Sequence, residues 1–545
     1  MKRSGKFLAV LAASAMTLGL GAANVSAAGL VATGTQKVYI VGDDWGPAVT
    51  KTIITFDKKI DASSLDKNDF TVQEVKEITA DWSTGAHGTG TADRKVENVY
   101  LSNAKGTKST AKTGKTVTIE MYTSPNDGSP FIYDLKSGYN NWCSFYKLNV
   151  ALAANAEVTT QGQKLTGVNV DASIALSTKK QSVFDSTTTA ITEHTYDYDD
   201  QSYTYGEYKP ASDGKKNALV IWLNGAGEGG TDNYIDLLGN KVTALASTEF
   251  QKNFNGAYVI TPQAPTFWMN GGDGKYQNGD KGSMYSQGLY SLIREYVATH
   301  SDIDANRIII GGCSNGGYMT MEMVAKHPNY FAAAYPICEA LQDQYITDSQ
   351  ITALAKSKTG IWYSYAKTDT TVDYTKCTEP TYARLKAAGM TNLHKTVWDN
   401  VVDTTGRFTK SSTDTSAYEY NGHWSWIYFD NNKNTEGSLN EWSWLSTQTK
   451  SVINTTTTKV TKAKSSKKKK LTVKLSAKTG ITGYEIAYRK KGSSKWTYVK
   501  TTSATKTLTK LSSKKYYYVK ARTYITTGTT NDSSAWSASK KAKIK

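Results

Sequence analysis

The sequence predicts a chain of several domains, in which two all-β sandwiches flank a mixed α/β domain with a mostly parallel sheet. Three observations support this fold class. The chain has 545 residues, which is too long for one ordinary domain. Short alternating apolar runs, separated by turn residues, fill both ends and are typical of sandwiches. In the middle, near-continuous apolar runs alternate with amphipathic stretches, which indicates a parallel sheet covered by helices on both faces.

Residues 1–28 are predicted to be an export signal. The chain begins with a cluster of lysine and arginine, continues with an apolar run to about residue 23 and reaches a small-residue site that ends at Ala28. A membrane anchor is the alternative, but the apolar run is short and is interrupted by Gly19 and Gly21. Since no later segment is apolar enough to span a membrane, we expect a secreted protein.

Residues 29–180 are predicted to form the first sandwich. Alternating runs recur at residues 37–41, 52–56 and 115–121, and the turns between them are rich in Gly, Asp, Asn and Ser. The segment around residues 56–72 resembles bacterial Ig-like modules. We therefore expect an Ig-like β-sandwich.

Residues 195–450 are predicted to form the α/β domain. An extended stretch opens the region, and amphipathic segments such as residues 288–297 separate the apolar runs that follow. Those runs lie at residues 218–223, 257–261, 307–310, 331–335 and 361–365.

A linker rich in threonine and lysine is predicted at residues 451–470, followed by a last all-β module at residues 471–545. The module alternates apolar and polar residues and resembles fibronectin type III domains.

The positive charge of the chain is concentrated at this end. From residue 459 onward there are 24 lysines and arginines but only two acidic residues, Glu485 and Asp532. The local balance of +22 leaves −5 for the rest of a chain whose total is +17. We expect this end to hold the protein on an anionic cell-wall polymer by long-range attraction. Nucleic acid is disfavoured because no recognition motif is present, and a solubilising spacer is the alternative.

The sequence Gly-Cys-Ser-Asn-Gly at residues 312–316 has the pattern of a nucleophile elbow, with Ser314 at its tip. It follows an apolar strand and opens a helical stretch, as an elbow requires. A serine hydroxyl becomes a useful nucleophile when it is held beside a base and beside amides that stabilise an oxyanion. Ser314 is therefore the predicted nucleophile.

The general base is predicted to be His423. In α/β hydrolases the acid and then the histidine follow the serine along the chain, and His327, His394 and His423 are the histidines after Ser314. His327 lies on the predicted elbow helix and His394 within a predicted strand, whereas His423 lies in a loop. A loop at the carboxyl edge of the sheet suits a base, so His423 is the candidate.

The acid is predicted to be Asp369, in the loop after the apolar run at residues 361–365, with Asp373 as the alternative. It would hold the imidazole in the correct tautomer and stabilise its cation. Asn315, which follows the nucleophile, and Ala226 with Gly227 in an early glycine-rich loop are the predicted amide donors of an oxyanion hole. A phosphate-binding loop is disfavoured because the Lys-Ser/Thr ending is missing.

Residues 195–450 resemble secreted α/β-hydrolase esterases with an N-terminal Ig-like domain, related to polyhydroxybutyrate depolymerases and feruloyl esterases. The matching segments are residues 223–233, 260–265, 312–318, 331–338, the Asp369 loop and 423–426. The resemblance implies that Ser314, Asp369 and His423 form a catalytic triad. Two departures concern the substrate pocket, since the family usually has His where Asn224 stands and often has a hydrophobic residue where Asn315 stands.

The implied reaction is hydrolysis of a short-acyl or carbohydrate-linked ester through an acyl-enzyme, which requires no metal or organic cofactor. Trp268, Trp424 and Asn224 are the predicted substrate-binding residues, since an indole can stack on a sugar ring or an aromatic acyl group. The alternatives are a peptidase related to prolyl oligopeptidase and a cell-surface binding protein without activity. The sequence leaves the acyl group and the alcohol open.

Overall fold

The computed structural model describes residues 29–176, 180–411, 413–450, 456–527 and 530–545. The predicted export signal, residues 1–28, and the start of the predicted linker, residues 451–455, lie outside the described residues. None of the helices in the described ranges is long and apolar enough to cross a membrane.

The N-terminal domain is a β-sandwich, as predicted. One sheet contains Val31–Asp43, Gly46–Asp61, Val96–Leu101, Thr113–Met121, Gly167–Val170 and Ser182–Phe184, and the other contains Phe70–Asp81, Ala86–Arg94 and Tyr146–Leu152. Alternate residues of these strands, such as Val38 and Ile40, are fully buried between the sheets because side chains point to opposite faces of a strand. The strand Ser182–Phe184 extends the domain slightly beyond residue 180.

Two strands of this domain form a separate antiparallel pair, which we call the interdomain hairpin. It consists of Phe131–Asp134 and Tyr139–Trp142. The indole Nε1 of Trp142 donates a hydrogen bond of 2.8 Å to Asp232 in the α/β domain. Leu238 of the α/β domain is buried within the apolar core of the sandwich. The hairpin therefore fastens the two domains together.

The central domain has an eight-stranded sheet whose strands we number β1 to β8. They are β1 Thr192–Tyr198, β2 Gln201–Tyr208, β3 Asn217–Leu223, β4 Ala257–Pro262, β5 Ile303–Cys313, β6 Ala333–Ile337, β7 Gly360–Ala366 and β8 Leu393–Trp398. Their spatial order is β1-β2-β4-β3-β5-β6-β7-β8. The β1–β2 and β2–β4 pairs are antiparallel and all later pairs are parallel, which confirms the predicted fold class.

Helices cover both faces of this sheet. Along β3, Leu219 and Ile221 belong to one apolar core, whereas Val220 and Trp222 belong to another on the opposite face. This explains why the strands are apolar without interruption. The helices are Ser186–Thr189, Asn233–Gly239, Thr248–Phe254, Ser286–Thr299, Asn315–Lys326, Asp348–Ala355, Thr378–Ala387, Trp426–Asp430 and Glu441–Thr447.

The C-terminal module is all-β, as predicted, and its assignment as fibronectin type III stays a prediction. Its two sheets contain Val460–Lys464, Leu471–Leu475 and Thr505–Leu508, and Gly483–Lys490, Thr497–Thr501, Tyr516–Thr527, Thr530–Ser533 and Lys540–Lys543. The strand Val460–Lys464 lies inside the predicted linker 451–470. Val460 is buried and pairs with Leu475, so the module begins earlier than residue 471. The sequence did not predict this strand because most of its residues are threonine and lysine and only its buried face is apolar.

Candidate active site

Ser314 stands on a sharp turn between β5 and the helix Asn315–Lys326. Its backbone has φ 54° and ψ −113°, which is unfavourable for a residue with a side chain. Gly312 and Gly316 make the turn possible, since a Cβ there would lie 2.2 Å and 1.9 Å from the Leu223 carbonyl oxygen. Such strain is typical of a functional elbow. The local geometry therefore matches what the motif requires.

His423 and Asp369 form a buried pair across two loops. The ring Nδ1 lies 2.8 Å from Asp369 Oδ2, and the two side chains are 11% and 2% exposed. The other carboxylate oxygen accepts hydrogen bonds from the amides of Thr371 and Val372. A carboxylate held in this way keeps the proton on Nδ1 and leaves Nε2 free to accept one.

The alternative acid and bases are engaged in other contacts. Asp373 forms an exposed ion pair with Lys376. His327 stacks on Tyr290 with ring centroids 3.6 Å apart. His394 bonds to Glu436. The structure therefore brings Asp369 together with His423 and not with the other candidate histidines.

Ser314 and His423 line the same cavity, which has a volume of about 910 Å³. Within the described part of the chain, no hydrogen bond joins the serine hydroxyl to the imidazole. Nucleophile and base are often further apart in an enzyme without substrate than during the reaction. The catalytic contact between these two residues accordingly stays a prediction.

The predicted oxyanion donors also line this cavity. Asn315 opens its helix, where the first amides have no partner within the helix, and Ala226 and Gly227 belong to the 3-10 turn Ala226–Glu228. Among the described residues, none of these three amides donates to a protein acceptor. Free amides at the mouth of an elbow suit an oxyanion.

Cys338 is a neighbour of the imidazole that sequence reasoning missed. Its sulfur, a carboxylate oxygen of Asp369 and a ring nitrogen of His423 lie within 4.8 Å of one another. Burial acts to lower the pKa of His423, but Cys338 and Asp369 beside the ring act in the opposite direction and the net effect is a raised pKa. The sulfur comes to this position because Cys338 follows β6 with φ 38°, which no sequence pattern predicts.

Glu228 is a second residue that sequence reasoning missed. Its carboxyl is buried beside the backbone of the turn Ala226–Glu228, which we call the oxyanion turn. A Cβ on Gly225 would lie 2.8 Å from Oε2. Asn140 Nδ2 of the interdomain hairpin donates a hydrogen bond of 2.7 Å to Oε1. Burial raises the pKa of Glu228 to about 7, although hydrogen bonds and His423 oppose the shift. No signal in the sequence connects residues this far apart.

Two of the three residues predicted to bind the substrate lie in the protein interior. Trp268 is fully buried and packs edge-on against Tyr285 in the core. Asn224 is also fully buried, and its side chain bonds to Gly225 O and Ala264 N, which joins two loops of the sheet. Neither residue lines the cavity that contains Ser314 and His423. Trp424 lines the cavity, and its contact with substrate stays a prediction.

The four cysteines, Cys143, Cys313, Cys338 and Cys377, are buried and free.

Comparisons with known families agree with this architecture. Residues 37–167 match a family described as the esterase Ig-like N-terminal domain, and residues 289–451 match the prolyl oligopeptidase family. A search of curated proteins finds no significant relative. The two family matches confirm an N-terminal Ig-like domain followed by an α/β-hydrolase domain.

Three solved structures illustrate the similarity. A thermostable esterase is 22% identical and has a TM-score of 0.55, over 77% of this chain and 99% of that one. An acylaminoacyl peptidase of Pyrococcus horikoshii is 12% identical, with a TM-score of 0.32, over 73% of this chain and 56% of the other. A mutant feruloyl esterase module from Clostridium thermocellum, complexed with sinapinate, is 16% identical, with a TM-score of 0.28, over 38% and 80%. The first of these shares its fold with both N-terminal domains of this chain.

Proposed function

We propose that this serine hydrolase is an exported esterase that cleaves carboxylic esters with short acyl or carbohydrate-linked acyl groups. The observation that carries the proposal is the buried pair of Asp369 and His423, because the imidazole of this pair lines the same cavity as the strained Ser314. Around it, free amides of Asn315 and Ala226 are available to an oxyanion. These are the parts that acyl transfer requires.

In the first half of the reaction, Ser314 Oγ attacks the ester carbonyl carbon and His423 Nε2 takes the hydroxyl proton. The carbonyl π electrons move to oxygen, and the amides of Asn315 and Ala226 stabilise the resulting charge. Asp369 stabilises the imidazolium. His423 then gives its proton to the leaving alcohol as the carbon–oxygen bond breaks, and the acyl group remains on Ser314.

In the second half, water replaces the alcohol. His423 takes a proton from the water, the hydroxide attacks the acyl carbon, and a second oxyanion forms in the same place. Its collapse breaks the bond to Ser314 Oγ, which recovers its proton from His423 and releases the acid. The residues return to their initial state without a metal or an organic cofactor.

Two comparisons favour ester hydrolysis over peptide hydrolysis. The fold shared with a thermostable esterase covers nearly all of that chain, and the N-terminal match is to an Ig-like domain described from esterases. A peptidase is the second candidate, favoured by the prolyl oligopeptidase match at residues 289–451.

The two candidates separate on substrates with different leaving groups. We expect the purified chain to hydrolyse 4-nitrophenyl acetate and butyrate but not aminoacyl 4-nitroanilides, and Ser314→Ala to abolish the ester activity. Faster release of nitroaniline than of nitrophenol from matched acyl groups would favour the peptidase. Unchanged turnover by Ser314→Ala would contradict both.

We also propose that the C-terminal module retains the secreted protein on an anionic cell-wall polymer. Its sheet holds cations over aromatic rings, with Lys520 Nζ 4.6 Å from the centroid of Trp496 and 4.7 Å from that of Trp536. Arg522 lies 4.4 Å from Trp536. Cations fixed in this way lose little entropy when they bind an anion.

Retention is tested by comparing the full chain with a chain that ends at residue 450. We expect the full chain alone to bind beads coated with polygalacturonate, and added salt to release it, because attraction between exposed charges is screened. Ester hydrolysis by the shorter chain is the control for its folding. Equal binding by both chains would favour the solubilising spacer.

A further inference from the structure

The N-terminal domain supplies part of the wall of the active-site cavity. In the interdomain hairpin, Tyr133 pairs directly across from Asn140, and both side chains reach the oxyanion turn. A Cβ on Gly227 would lie 3.8 Å from Tyr133 Cε2 and 3.2 Å from Asn140 Nδ2. The phenol ring therefore stands next to one of the predicted oxyanion donors.

A second aromatic ring of the same domain, Trp82, lies at the cavity rim with 65% of its surface exposed. It occupies the turn between Phe70–Asp81 and Ala86–Arg94. The carboxylate of Asp81 accepts hydrogen bonds from the amide and hydroxyl of Ser83, which close the turn. A large apolar side chain that is exposed to water is unusual in a folded protein. Because the turn is already fixed, Trp82 loses little further conformational entropy when it binds a ligand.

The catalytic domain adds Tyr276, which is 55% exposed and also lines the cavity. Its ring stacks on Phe267 with centroids 4.2 Å apart and planes 18° apart, so its orientation is fixed. A Cβ on Gly138 would lie 3.8 Å from the Tyr133 hydroxyl and 3.9 Å from the Tyr276 hydroxyl. The two phenols from different domains thus converge at one side of the cavity.

The rest of the rim is polar. The cavity is also lined by Asn278, Gln342, Asp373 and Lys376, which offer both donors and acceptors. A sugar ring has apolar C–H faces, which stack on aromatic rings, and hydroxyl groups at its edge, which need such polar partners. A purely aromatic acyl group lacks such a ring of hydroxyl groups and would fit an apolar slot better than this polar rim.

We propose that Trp82, Tyr133 and Tyr276 form a subsite that binds a sugar ring of an esterified oligosaccharide, with the two domains contributing one wall each. This proposal rests on the esterase function proposed above and assigns its substrate to the carbohydrate-linked class. The N-terminal sandwich then determines specificity, because the catalytic domain alone lacks Trp82 and Tyr133.

Binding without catalysis tests the subsite directly. The Ser314→Ala protein is titrated with xylohexaose by calorimetry, alone and with Trp82→Ala or Tyr276→Ala added. We expect each added change to raise Kd by about five- to tenfold, the loss typical of one aromatic stacking contact. Tyr122→Ala, an exposed ring of the same domain outside the cavity, is the control and should leave Kd unchanged. No binding by the Ser314→Ala protein, or equal Kd values in all variants, would overturn the proposal.

Kinetics with active protein distinguishes this proposal from the esterase function. We expect Trp82→Ala and Tyr276→Ala to lower the ratio of kcat/KM for acetylated xylo-oligosaccharides to kcat/KM for 4-nitrophenyl acetate by about fivefold. If unmodified protein hydrolyses neither ester, the esterase function fails, while the titration still decides the subsite. A different outcome is that the two variants lower kcat/KM for methyl ferulate relative to 4-nitrophenyl acetate and leave the ratio for the oligosaccharide unchanged. In that case the rings bind an acyl group and the sugar subsite is wrong.

Discussion

At the scale of single residues, the candidate site combines the hydrogen-bonded pair of Asp369 and His423 with two buried neighbours. Asp369 and His423 are joined at 2.8 Å. Cys338 lies beside the imidazole, and Glu228 is buried behind the oxyanion turn with its pKa raised to about 7. The charges that develop in an acyl transfer are therefore close to a carboxyl whose own charge changes with pH.

Glu228 leads to a pH prediction. Because burial raises its pKa to about 7, the carboxyl is neutral below that pH and ionised above it. A negative charge close to the oxyanion turn opposes the charge that forms there. We expect the ratio of kcat for Glu228→Gln to kcat for the unmodified protein, measured with 4-nitrophenyl acetate, to rise by about tenfold above pH 7, which corresponds to about 1.4 kcal/mol in the barrier. Glu228→Gln is isosteric and stays neutral, so the ratio isolates the charge of Glu228 from the titration of His423.

The groups that face Glu228 define the control for this measurement. They are Asn140, Asn240, His423, Asp236 and Cys313, of which His423 also titrates during catalysis. Its raised pKa places the rise of activity at a higher pH than an ordinary imidazole would, because the general base must be neutral. That rising limb should remain in Glu228→Gln. A ratio that does not change with pH would contradict the assignment to Glu228.

The sequence predicted which candidate catalytic residues the structure brings to one cavity. Ser314 stands in a local motif, and chain order with loop position selected His423 and Asp369, which the structure joins. Trp268 and Asn224 were misplaced because a motif loop has an inner and an outer side that composition does not reveal. Cys338 and Glu228 escaped notice because their roles depend on contacts between distant segments.

At the scale of elements, the elbow depends on close packing of β5 and its helix against β3. A Cβ on Gly316 would lie 1.9 Å from the Leu223 carbonyl oxygen, and backbone cannot move aside as a flexible side chain can. Gly316→Ala should therefore destabilise the α/β domain by about 3 kcal/mol and lower its melting temperature. In Gly114→Ala the nearest contacts are at an ordinary 3.5 Å, so that control should melt like the unmodified protein. Equal melting of both variants would show that the elbow is loosely packed.

The strands were easier to predict than their ends. A strand with one solvent-exposed face alternates apolar and polar residues, whereas β3 and β5 contain runs of consecutive apolar residues. These runs therefore predicted a parallel sheet covered on both faces. The strand Val460–Lys464 falls within the predicted linker because three of its five residues are polar. The composition of such an edge strand does not distinguish it from a linker, and its pairing with the neighbouring strand is what identifies it.

At the scale of the whole molecule, the cavity of the candidate active site is lined by residues of two domains. The interdomain hairpin contacts the oxyanion turn through Asn140 and the following helix through Trp142, whose indole bonds to Asp232, the N-cap of that helix. Sequence reasoning treated the sandwich as a separate module. It had no means of placing a hairpin at residues 131–142 on a loop near residue 228.

This contact predicts that the hairpin stabilises the oxyanion turn. Trp142→Phe keeps an aromatic ring against Phe131 but removes the hydrogen bond to Asp232, whereas Trp142→Ala removes both. We expect amide hydrogen exchange at residues 225–232 to accelerate slightly in the first variant and by about tenfold in the second. Exchange at residues 471–475, in the remote C-terminal module, is the internal control. No change at residues 225–232 would mean that the turn is stable without the sandwich.

The central claim is that Ser314 is the nucleophile that becomes acylated and that His423 activates its hydroxyl. The most direct measurement is acid quenching of the reaction with 4-nitrophenyl butyrate, followed by peptide mass mapping of the acylated residue. We predict a butyryl group on Ser314 in the unmodified protein and a loss of at least about a hundredfold in the rate of acylation in His423→Ala. A butyryl group on Cys338, whose thiol also lies beside the imidazole, or full acylation in Ser314→Ala, would contradict the account.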